Sequence, residues 1–365
     1  MLSKRIKKIK SSSIRKVFDL ATKNKGEFIN FAIGQPRFKV PDELKRAMAD
    51  AVQNGANKYA PTQGIQELRE KVAEKLRVEN NIQASSDDII ITSGTSGGIF
   101  LALSSILNPG DEVIIPDPYF TLYKEIIAFL DGVPTFLDTY QTFRIDPEKL
   151  KRLITEKTKA LIINSPNNPT GIVYSQKELS DLAKIAKKNN LLIISDEIYE
   201  KFDYDRKFFS VGGIYENTIT LNGFSKSYAI TGWRVGYAHA PGKIIQTMNK
   251  LQQYTFVCAP APAQAALAKA FNVNLNEEYQ KYRLKRDVLY QELEDKYQIY
   301  KPEGAFYLFV KMPPGRKQFV DELINHKLLV VPGEAFSNRN DYFRISFAVE
   351  DDALEKGIKI LRDLA

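Results

Sequence analysis

Short apolar segments recur along the first two-thirds of the chain and alternate with longer segments of helical periodicity. Most of the short segments are apolar at every position, which is typical of strands covered on both faces. We predict seven strands: Ile89–Thr92, Val113–Ile115, Thr135–Leu137, Ala160–Asn164, Leu191–Ser195, Thr218–Asn222 and Val235–Ala238. The alternation predicts an α/β fold with a mostly parallel, doubly wound sheet.

The segments between these strands carry helix signals. Residues 41–54 begin with a proline, have acidic residues in the first turn and are followed by Gly55, as expected of a helix. Residues 64–80 repeat leucine and valine at helical spacing. Residues 176–188 follow the capping box Ser175-x-x-Glu178, which favours a helix start at that point.

The pattern changes after about residue 258. A long charged segment, about Pro262–Lys296, is predicted to be helical, and a final helix is predicted over Asp351–Leu364. Between them lie three strand-like segments: Ala305–Val310, Leu328–Val331 and Tyr342–Ala348. We therefore predict a large domain over residues 41–270 and a smaller α+β domain over residues 271–365, which residues 1–40 join.

Composition narrows the function classes. No apolar segment is long enough to span a membrane, and the basic N-terminus lacks the apolar stretch of a secretory signal. The single cysteine, Cys258, excludes an internal disulfide and favours a cytoplasmic location. The net charge is +8, with many cations among residues 4–16. Without interleaved aromatics or a nucleic-acid motif, we interpret them as a solvated helix face and predict no nucleic-acid or membrane partner.

Several catalytic classes lack their motifs. His239 and His326 are the only histidines and stand outside metal-binding spacings, so no metal site is predicted. The sequence has no Gly-x-Ser-x-Gly elbow, no Gly-x-Gly-x-x-Gly and no Walker lysine, which argues against serine hydrolases and against dinucleotide and P-loop binding.

Lys226 and Arg234 follow the predicted strand Thr218–Asn222. A lysine at the end of a buried strand can lose its proton and form a Schiff base with a carbonyl, and an arginine holds phosphate in a fixed orientation. Together they suggest pyridoxal 5'-phosphate. A strand-terminal lysine alone usually reaches solvent, so the inference depends on three further loops.

Each of those loops also follows a predicted strand, where ligands bind in open α/β sheets. Residues 93–98, before a helix predicted over Ile99–Leu107, resemble an anion-binding turn. Residues 164–171 hold the amide of Asn168. Asp196 needs a cation partner, which a protonated pyridine nitrogen would supply. Taken singly, these features also fit a plain turn, an Asx turn and a helix cap or structural ion pair.

At this point a family resemblance is evident. The sequences Asn164-Ser-Pro-Asn-Asn-Pro-Thr-Gly171, Ser195-Asp-Glu-Ile-Tyr199 and Ser225-Lys226 to Gly232-Trp-Arg234 resemble class I aminotransferases of the fold-type I pyridoxal-phosphate superfamily. Shorter matches run along essentially the whole chain: Phe31-x-x-Gly34-x-Pro36, Lys58-Tyr59-Ala-Pro-x-x-Gly64, Gly304-Ala-Phe-Tyr307, Val331-Pro-Gly333 and Arg344-Ile-Ser. The resemblance implies a three-layer fold with a mostly parallel seven-stranded sheet and a smaller α+β domain.

The resemblance also implies site roles. Lys226 would form the Schiff base and move a proton from the substrate Cα. Asp196 would keep the pyridine nitrogen protonated, and Tyr199 and Asn168 would bond the ring oxygen. Arg344 would grip the substrate α-carboxylate, assisted by Asn168 and the backbone of Gly34.

The remaining implied roles concern the phosphate, the ring face and the second subunit. The phosphate would be held by Thr95, Ser96, Ser225 and Arg234. Phe120, preferred over Tyr119, would stack on the ring. Tyr59 would reach the phosphate of the neighbouring subunit, which implies a homodimer with shared active sites. Cys258 is interpreted as a packed interface or near-site residue.

Two positions depart from the family pattern. Gly223 stands where many relatives have a serine, so one phosphate hydroxyl is expected to be missing. Many relatives read Gly-Glu-Pro-Asp-Phe where this chain has Gly34-Gln35-Pro36-Arg37-Phe38, so specificity does not transfer. Arg37 is either exposed, which we prefer, or a partner for a second substrate carboxylate.

The implied reaction is a ping-pong transamination through Lys226. A 2-amino acid, aspartate or aromatic, gives its amino group to a 2-oxo acid such as 2-oxoglutarate. A cysteine-conjugate β-lyase would share almost all of these residues and is the alternative. A pyridoxal-phosphate-binding transcriptional regulator is a remote one, supported only by the basic N-terminus.

Overall fold

The computed structural model describes residues 3–10, 13–15, 17, 19, 28–205 and 207–365. In chain order, the strands in this part of the chain are β1 (Ile29–Asn30), β2 (Ile89–Thr92), β3 (Glu112–Asp117), β4 (Val133–Asp138), β5 (Thr158–Asn164), β6 (Leu192–Asp196), β7 (Thr218–Gly223), β8 (Gly236–His239), β9 (Tyr307–Lys311), β10 (Leu328–Leu329), β11 (Val331–Pro332) and β12 (Tyr342–Ser346). The α-helices, numbered from residue 42 onwards, are α1 (Asp42–Gln53), α2 (Gln66–Asn80), α3 (Gly94–Ile106), α4 (Leu122–Phe129), α5 (Pro147–Leu153), α6 (Gln176–Lys188), α7 (Gly242–Thr255), α8 (Ala261–Lys269), α9 (Asn276–Leu293), α10 (Phe319–Asn325) and α11 (Asp351–Asp363).

Strands β2 to β8 form one sheet in the order β2-β8-β7-β6-β5-β3-β4. All neighbours are parallel except β8, which runs antiparallel to β2 and β7. The predicted α/β class and the mostly parallel seven-stranded sheet are therefore confirmed. Each predicted strand overlaps one of these seven, because a strand buried on both faces leaves a continuous apolar segment in the sequence.

The sheet is the middle of three layers. Along β5, Leu161 and Ile163 pack into one apolar cluster with Leu179 and Leu182 of α6. The intervening residue Ile162 belongs to a second cluster on the other face, which includes residues of α3 and α7. Since side chains alternate across a strand, burial of both sets requires helices on both faces.

The C-terminal part of the chain builds smaller sheets. Strands β11, β12 and β9 form an antiparallel three-stranded sheet, and β1 pairs in parallel with β10. Helices α9 and α11 pack beside them around buried phenylalanines that include Phe306 and Phe343. The N-terminal strand thus pairs with a strand from the end of the chain.

Three predicted elements differ from the structure. The long helix predicted over residues 262–296 is two helices, α8 and α9, separated at residues 270–275. The Asn274 side chain accepts a hydrogen bond from the Asn276 backbone at 3.0 Å, a local bond that competes with helix continuation.

The other two differences concern α3 and the segment 328–331. Helix α3 begins at Gly94 rather than Ile99; its glycines let it lie close to the sheet, where a Cβ on Gly98 would be 3.1 Å from the Leu221 side chain. Residues 328–331 split into β10 and β11, because the chain leaves the pairing with β1 and joins β12.

The basic N-terminal residues contact the large sheet region. Arg5 and Lys8 form ion pairs with Asp131 at 2.9 and 2.7 Å beside a short 3₁₀ turn, Ile6–Lys8. Residues 6–8 form a short, exposed 3₁₀ helix, which agrees with the predicted solvated helix face, although part of the charge is paired. Lys16, also counted in that basic segment, lies outside the described residues. Within the described part of the chain, no helix combines the length and apolar character that crossing a bilayer requires.

Candidate active site

A cavity of about 220 Å³ lies where strands β5, β6 and β7 end. The predicted site residues that line it are Gly34, Thr95, Ser96, Phe120, Asn168, Asp196, Tyr199, Ser225, Lys226, Arg234 and Arg344. Only Tyr59 of the predicted set is missing. The cavity forms at this edge because the carboxyl ends of neighbouring parallel strands meet there.

Lys226 reaches the cavity from the loop after β7. Its Nζ donates a hydrogen bond to the backbone oxygen of Gly34 at 2.7 Å. Burial, followed by the charges of Arg344 and Arg234, lowers the pKa of the Lys226 amine to about 8, although Asp196 opposes the shift. An amine with this pKa is partly unprotonated near neutral pH, as a nucleophile or proton acceptor requires.

Asp196 is the last residue of β6 and is 4% exposed. Its Oδ2 accepts a hydrogen bond from the Tyr123 hydroxyl at 2.7 Å, and its Oδ1 accepts one from the Ile198 backbone at 3.3 Å. Burial raises the pKa of the Asp196 carboxyl to about 6, and the bond from Tyr123 is the largest opposing effect. At pH 7 Asp196 is therefore mainly an anion in apolar surroundings, where a cationic ligand group would be stabilised.

Asn168 and Arg344 form the far wall of the cavity. Arg344 Nη1 donates to Asn168 Oδ1 at 2.9 Å, and Nη2 donates to the backbone oxygen of Ala32 at 2.7 Å. The guanidinium lies over the rings of Tyr307 and Phe336, at 4.3 and 4.9 Å from their centroids. Its Nε has no hydrogen-bond partner among the described residues, so this buried cation retains capacity to donate to an anion.

The start of α3 and the loop after β7 form a cradle for an anion. The Arg234 guanidinium lies against the helix start: a Cβ on Gly94 would be 2.7 Å from its Nη2. The Thr95 Oγ1 is buried and has no partner within the described chain. Because a helix N-terminus presents free N–H groups and a positive dipole end, this region combines helix, hydroxyl and guanidinium donors.

Other predicted residues lie elsewhere. Tyr59 is 86% exposed, and Tyr119 packs on Phe136 at 5.0 Å between ring centroids, while Phe120 lines the cavity. Arg37 lies in a surface groove beside Tyr282, away from the cavity, so pairing with a second substrate carboxylate is not supported. Cys258 is half-buried outside the cavity lining.

The structure also describes the surroundings of Gly223, the position where many relatives have a serine. Gly223 does not line the cavity, and a Cβ there would be 3.1 Å from Thr95 Oγ1. His239 and His326 do not line the cavity either. In the part of the chain that the structure describes, no group of three or more His, Cys, Asp or Glu side chains is arranged to hold a metal ion.

Seven lining residues were not among the predicted site residues: Ile14, Ile99, Tyr123, Asn164, Ile198, Thr231 and Tyr307. Tyr123 bonds to Asp196, and the Tyr307 hydroxyl lies 2.8 Å from the Tyr199 hydroxyl. Ile14 adds an apolar contact from the N-terminal segment. Tyr307 appears within the motif Gly304-Ala-Phe-Tyr307 quoted above, but no local signal in the sequence indicates that its side chain or that of Tyr123 lines the cavity.

Comparisons with known proteins identify the family of the chain. The model of the family described as aminotransferase class I and II matches residues 26–361. The chain is 38% identical to a probable aspartate aminotransferase of Methanocaldococcus jannaschii, with all of both chains covered. It is also 38% identical to aromatic-amino-acid aminotransferase 2 of Thermococcus litoralis, over 99% of this chain and 98% of that protein.

A solved structure gives the same result. The aspartate aminotransferase from Thermus thermophilus with maleate superposes with a TM-score of 0.94 at 34% identity, covering 100% of both chains. A family match across almost the full length, relatives well above 30% identity and a shared fold leave one assignment: this chain belongs to the class I and II aminotransferases.

Proposed function

We propose that the protein is a pyridoxal-phosphate-dependent aminotransferase in which Lys226 is the catalytic amine. The observation that carries the proposal is the convergence of this amine with a buried carboxylate, Asp196, and two arginines in one cavity. The relatives' names favour amino-group transfer and lend no support to the β-lyase alternative.

The residues present fit pyridoxal phosphate. The Thr95 hydroxyl, which lacks a partner within the described residues, and the cradle at the start of α3 suit its phosphate, with Ser96, Ser225 and Arg234 as further donors. Asp196 suits a protonated pyridine nitrogen. Phe120 offers a ring face, and Tyr199 and Asn168 offer polar groups for the ring oxygen.

When bound, the cofactor supplies a carbonyl that exchanges amino groups and a ring that withdraws electrons from the substrate Cα. Unprotonated Lys226 takes the proton from the Cα of the amino acid that gives up its amino group. In the second half of the reaction it returns a proton to the Cα of the 2-oxo acid that receives the amino group. Asp196 stays charged at neutral pH, stabilising positive charge on the ring nitrogen. Tyr123 keeps Asp196 oriented through its 2.7 Å hydrogen bond.

We propose that Arg344 binds the substrate α-carboxylate, helped by Asn168 and the Gly34 backbone. The Nε of Arg344, which has no hydrogen-bond partner among the residues that the structure describes, and the stacking of its guanidinium on Tyr307 support this role. The Thermus thermophilus structure is described with maleate, a dicarboxylate, which is consistent with carboxylate recognition in this fold. The relatives are named for aspartate and for aromatic amino acids, and we propose the substrate from these two classes.

We also propose a homodimer in which Tyr59 completes the phosphate site of the partner subunit. Its 86% exposure in the single chain supports a role outside its own cavity. The proposed domain division, residues 41–270 and 271–365 with residues 1–40 joining the latter, is supported by the break between α8 and α9 and by the pairing of β1 with β10. The single cysteine supports a cytoplasmic location.

An amino-acid panel tests the proposed reaction. Purified protein with pyridoxal phosphate is given 2-oxoglutarate and aspartate, phenylalanine, tyrosine or alanine, and glutamate and ammonia are measured. We expect glutamate from aspartate or an aromatic amino acid, with no ammonia when the 2-oxo acid is omitted. Stoichiometric ammonia without an acceptor would instead establish a lyase.

A further inference from the structure

Tyr307 stands at the junction of three groups that the proposed function uses. It is the first residue of β9 and is 1% exposed. It therefore enters the cavity from the small three-stranded sheet, whereas Lys226 and Asp196 come from the large one. A side chain that joins the two sheets at the site can fix the relative positions of the groups on each.

The Tyr307 hydroxyl contacts two of these groups. It lies 2.8 Å from the Tyr199 hydroxyl. A Cβ on Gly34 would overlap it, so the backbone of Gly34 passes directly against the same oxygen. The carbonyl of Gly34 in turn accepts the hydrogen bond from Lys226.

The Tyr307 ring contacts the third group. The Arg344 guanidinium lies 4.3 Å from the ring centroid and 4.9 Å from the ring centroid of Phe336, so it contacts two aromatic rings. The register of the strands brings Tyr307 and Arg344 together. Tyr307 pairs with Ser346 on β12, and Arg344 lies two residues before Ser346 on the same face of the sheet. A cation stacked in this way has lost much of its rotational freedom before substrate arrives.

We propose that Tyr307 is a positioning residue with two separable roles, an inference that rests on the proposed function. Either hydroxyl of the Tyr199–Tyr307 pair could donate; in the first role Tyr307 is the donor, so that the Tyr199 proton is left for the ring oxygen of the cofactor. The ring of Tyr307 holds Arg344 in the plane that receives the substrate carboxylate. Hydrogen-bonded hydroxyls polarise each other, so the first role strengthens donation by Tyr199, while the second acts on substrate affinity.

The variants Tyr307→Phe and Tyr307→Leu separate the roles. Phenylalanine keeps the ring and loses the hydroxyl. We expect the pH midpoint of the bound cofactor's absorption change to rise by about half a unit to one unit, because a weaker donor stabilises the anionic ring oxygen less. We expect kcat to fall about fivefold, with KM for 2-oxoglutarate unchanged within about twofold. Leucine removes the ring as well, and KM should then rise about tenfold or more.

Tyr140→Phe is the matched control. Tyr140 is also buried and also carries an arginine, Arg339, whose guanidinium lies 3.9 Å from its ring centroid, but it does not line the cavity. Its variant should leave the midpoint, kcat and KM at wild-type values. If the loss of any buried tyrosine hydroxyl changed these values, both variants would show the change. The proposed role predicts a change for Tyr307→Phe alone.

The outcomes are distinguishable. A wild-type protein that binds no cofactor and transfers no amino group overturns the proposed function and this inference with it. An active wild type whose midpoint is unchanged in Tyr307→Phe overturns the hydroxyl role alone. If Tyr307→Leu folds, an unchanged KM overturns the ring role; if it does not fold, Tyr307→Phe still decides the hydroxyl role, and Phe336→Leu tests the arginine stack through its second aromatic contact.

Discussion

Asp196 is the last residue of β6 and Glu197 follows it, but their carboxyl groups have different partners: Asp196 bonds to Tyr123, whereas Glu197 bonds to Ser195 and Ser210. Both are buried, at 4% and 1% exposure. Burial raises the pKa of Asp196 to about 6 and that of Glu197 to about 8. At pH 7 the first is therefore mainly charged and the second mainly protonated.

The two carboxyl groups differ in what surrounds them. Glu197 Oε1 accepts hydrogen bonds from Ser210 and Ser195 at 2.6 and 2.8 Å, and Glu197 is not among the residues that line the cavity. Asp196 opens onto the cavity that also contains Lys226. Burial and a perturbed pKa thus mark both groups, but only the one beside an open cavity with other charged groups is expected to take part in chemistry.

Replacing the amine should produce the largest effect on the cavity side. Lys226→Ala removes the group proposed to bond the cofactor and move the proton, and turnover should fall by at least about a thousandfold. Unfolding by urea should be close to wild type, because the lysine makes one hydrogen bond in the structure. Steady-state transamination with 2-oxoglutarate measures the loss.

Lys201→Ala is the control for that variant. Lys201 also follows β6 and forms an ion pair with Glu79 at 2.7 Å, outside the cavity. It should retain wild-type turnover. Near-normal activity of Lys226→Ala would refute the assignment of the catalytic lysine.

The paired variants Asp196→Asn and Glu197→Gln test the comparison directly. Each keeps the shape of the side chain and removes the possibility of a negative charge. At pH 7 we expect kcat/KM to fall about 100- to 1,000-fold for Asp196→Asn and to change by no more than about twofold for Glu197→Gln, whose parent is already protonated. Equal losses of kcat/KM for the two variants would contradict the different roles assigned to Asp196 and Glu197.

Tyr123→Phe should have an intermediate effect. It removes the hydrogen bond to Asp196 Oδ2, so the pKa of the Asp196 carboxyl should rise further and less of it should be charged at pH 7. We expect about tenfold weaker binding of pyridoxal phosphate, measured by titration of the cofactor-free protein. Tyr174→Phe, at a buried tyrosine on the other face of the sheet, should bind the cofactor as wild type does.

Glu197→Gln, which should have the smallest effect on activity, should change the stability of the protein in a pH-dependent way. Because the folded pKa of Glu197 is above its ordinary value of 4.5, the folded protein keeps a proton that the unfolded chain releases. This contribution is fully present below about pH 4.5 and is lost as the pH rises towards 8. The Glu197→Gln variant has no titrating group at this position, so it does not lose this contribution. The difference in free energy of unfolding between the variant and wild type should therefore increase in favour of the variant by a few kcal/mol from pH 5 to pH 8. A constant difference in urea unfolding at the two pH values would contradict a protonated Glu197.

The sequence predicted best those features that depend on a local residue pattern alone. Continuous apolar segments predicted the seven strands, and their ends indicated Asp196, Asn168 and Lys226. The helix break after α8 was missed because side-chain bonds such as that of Asn274 depend on local geometry. Tyr307 and Tyr123 were missed as site residues because their roles depend on contacts with positions more than seventy residues away.

The most direct test is to reduce the cofactor-loaded wild-type protein with borohydride, digest it and identify the modified peptide by mass spectrometry. We predict one stable modification, on Lys226, and an absorption in the visible range before reduction. A protein that stays colourless with pyridoxal phosphate, or a modification fixed on a different lysine, would contradict the account.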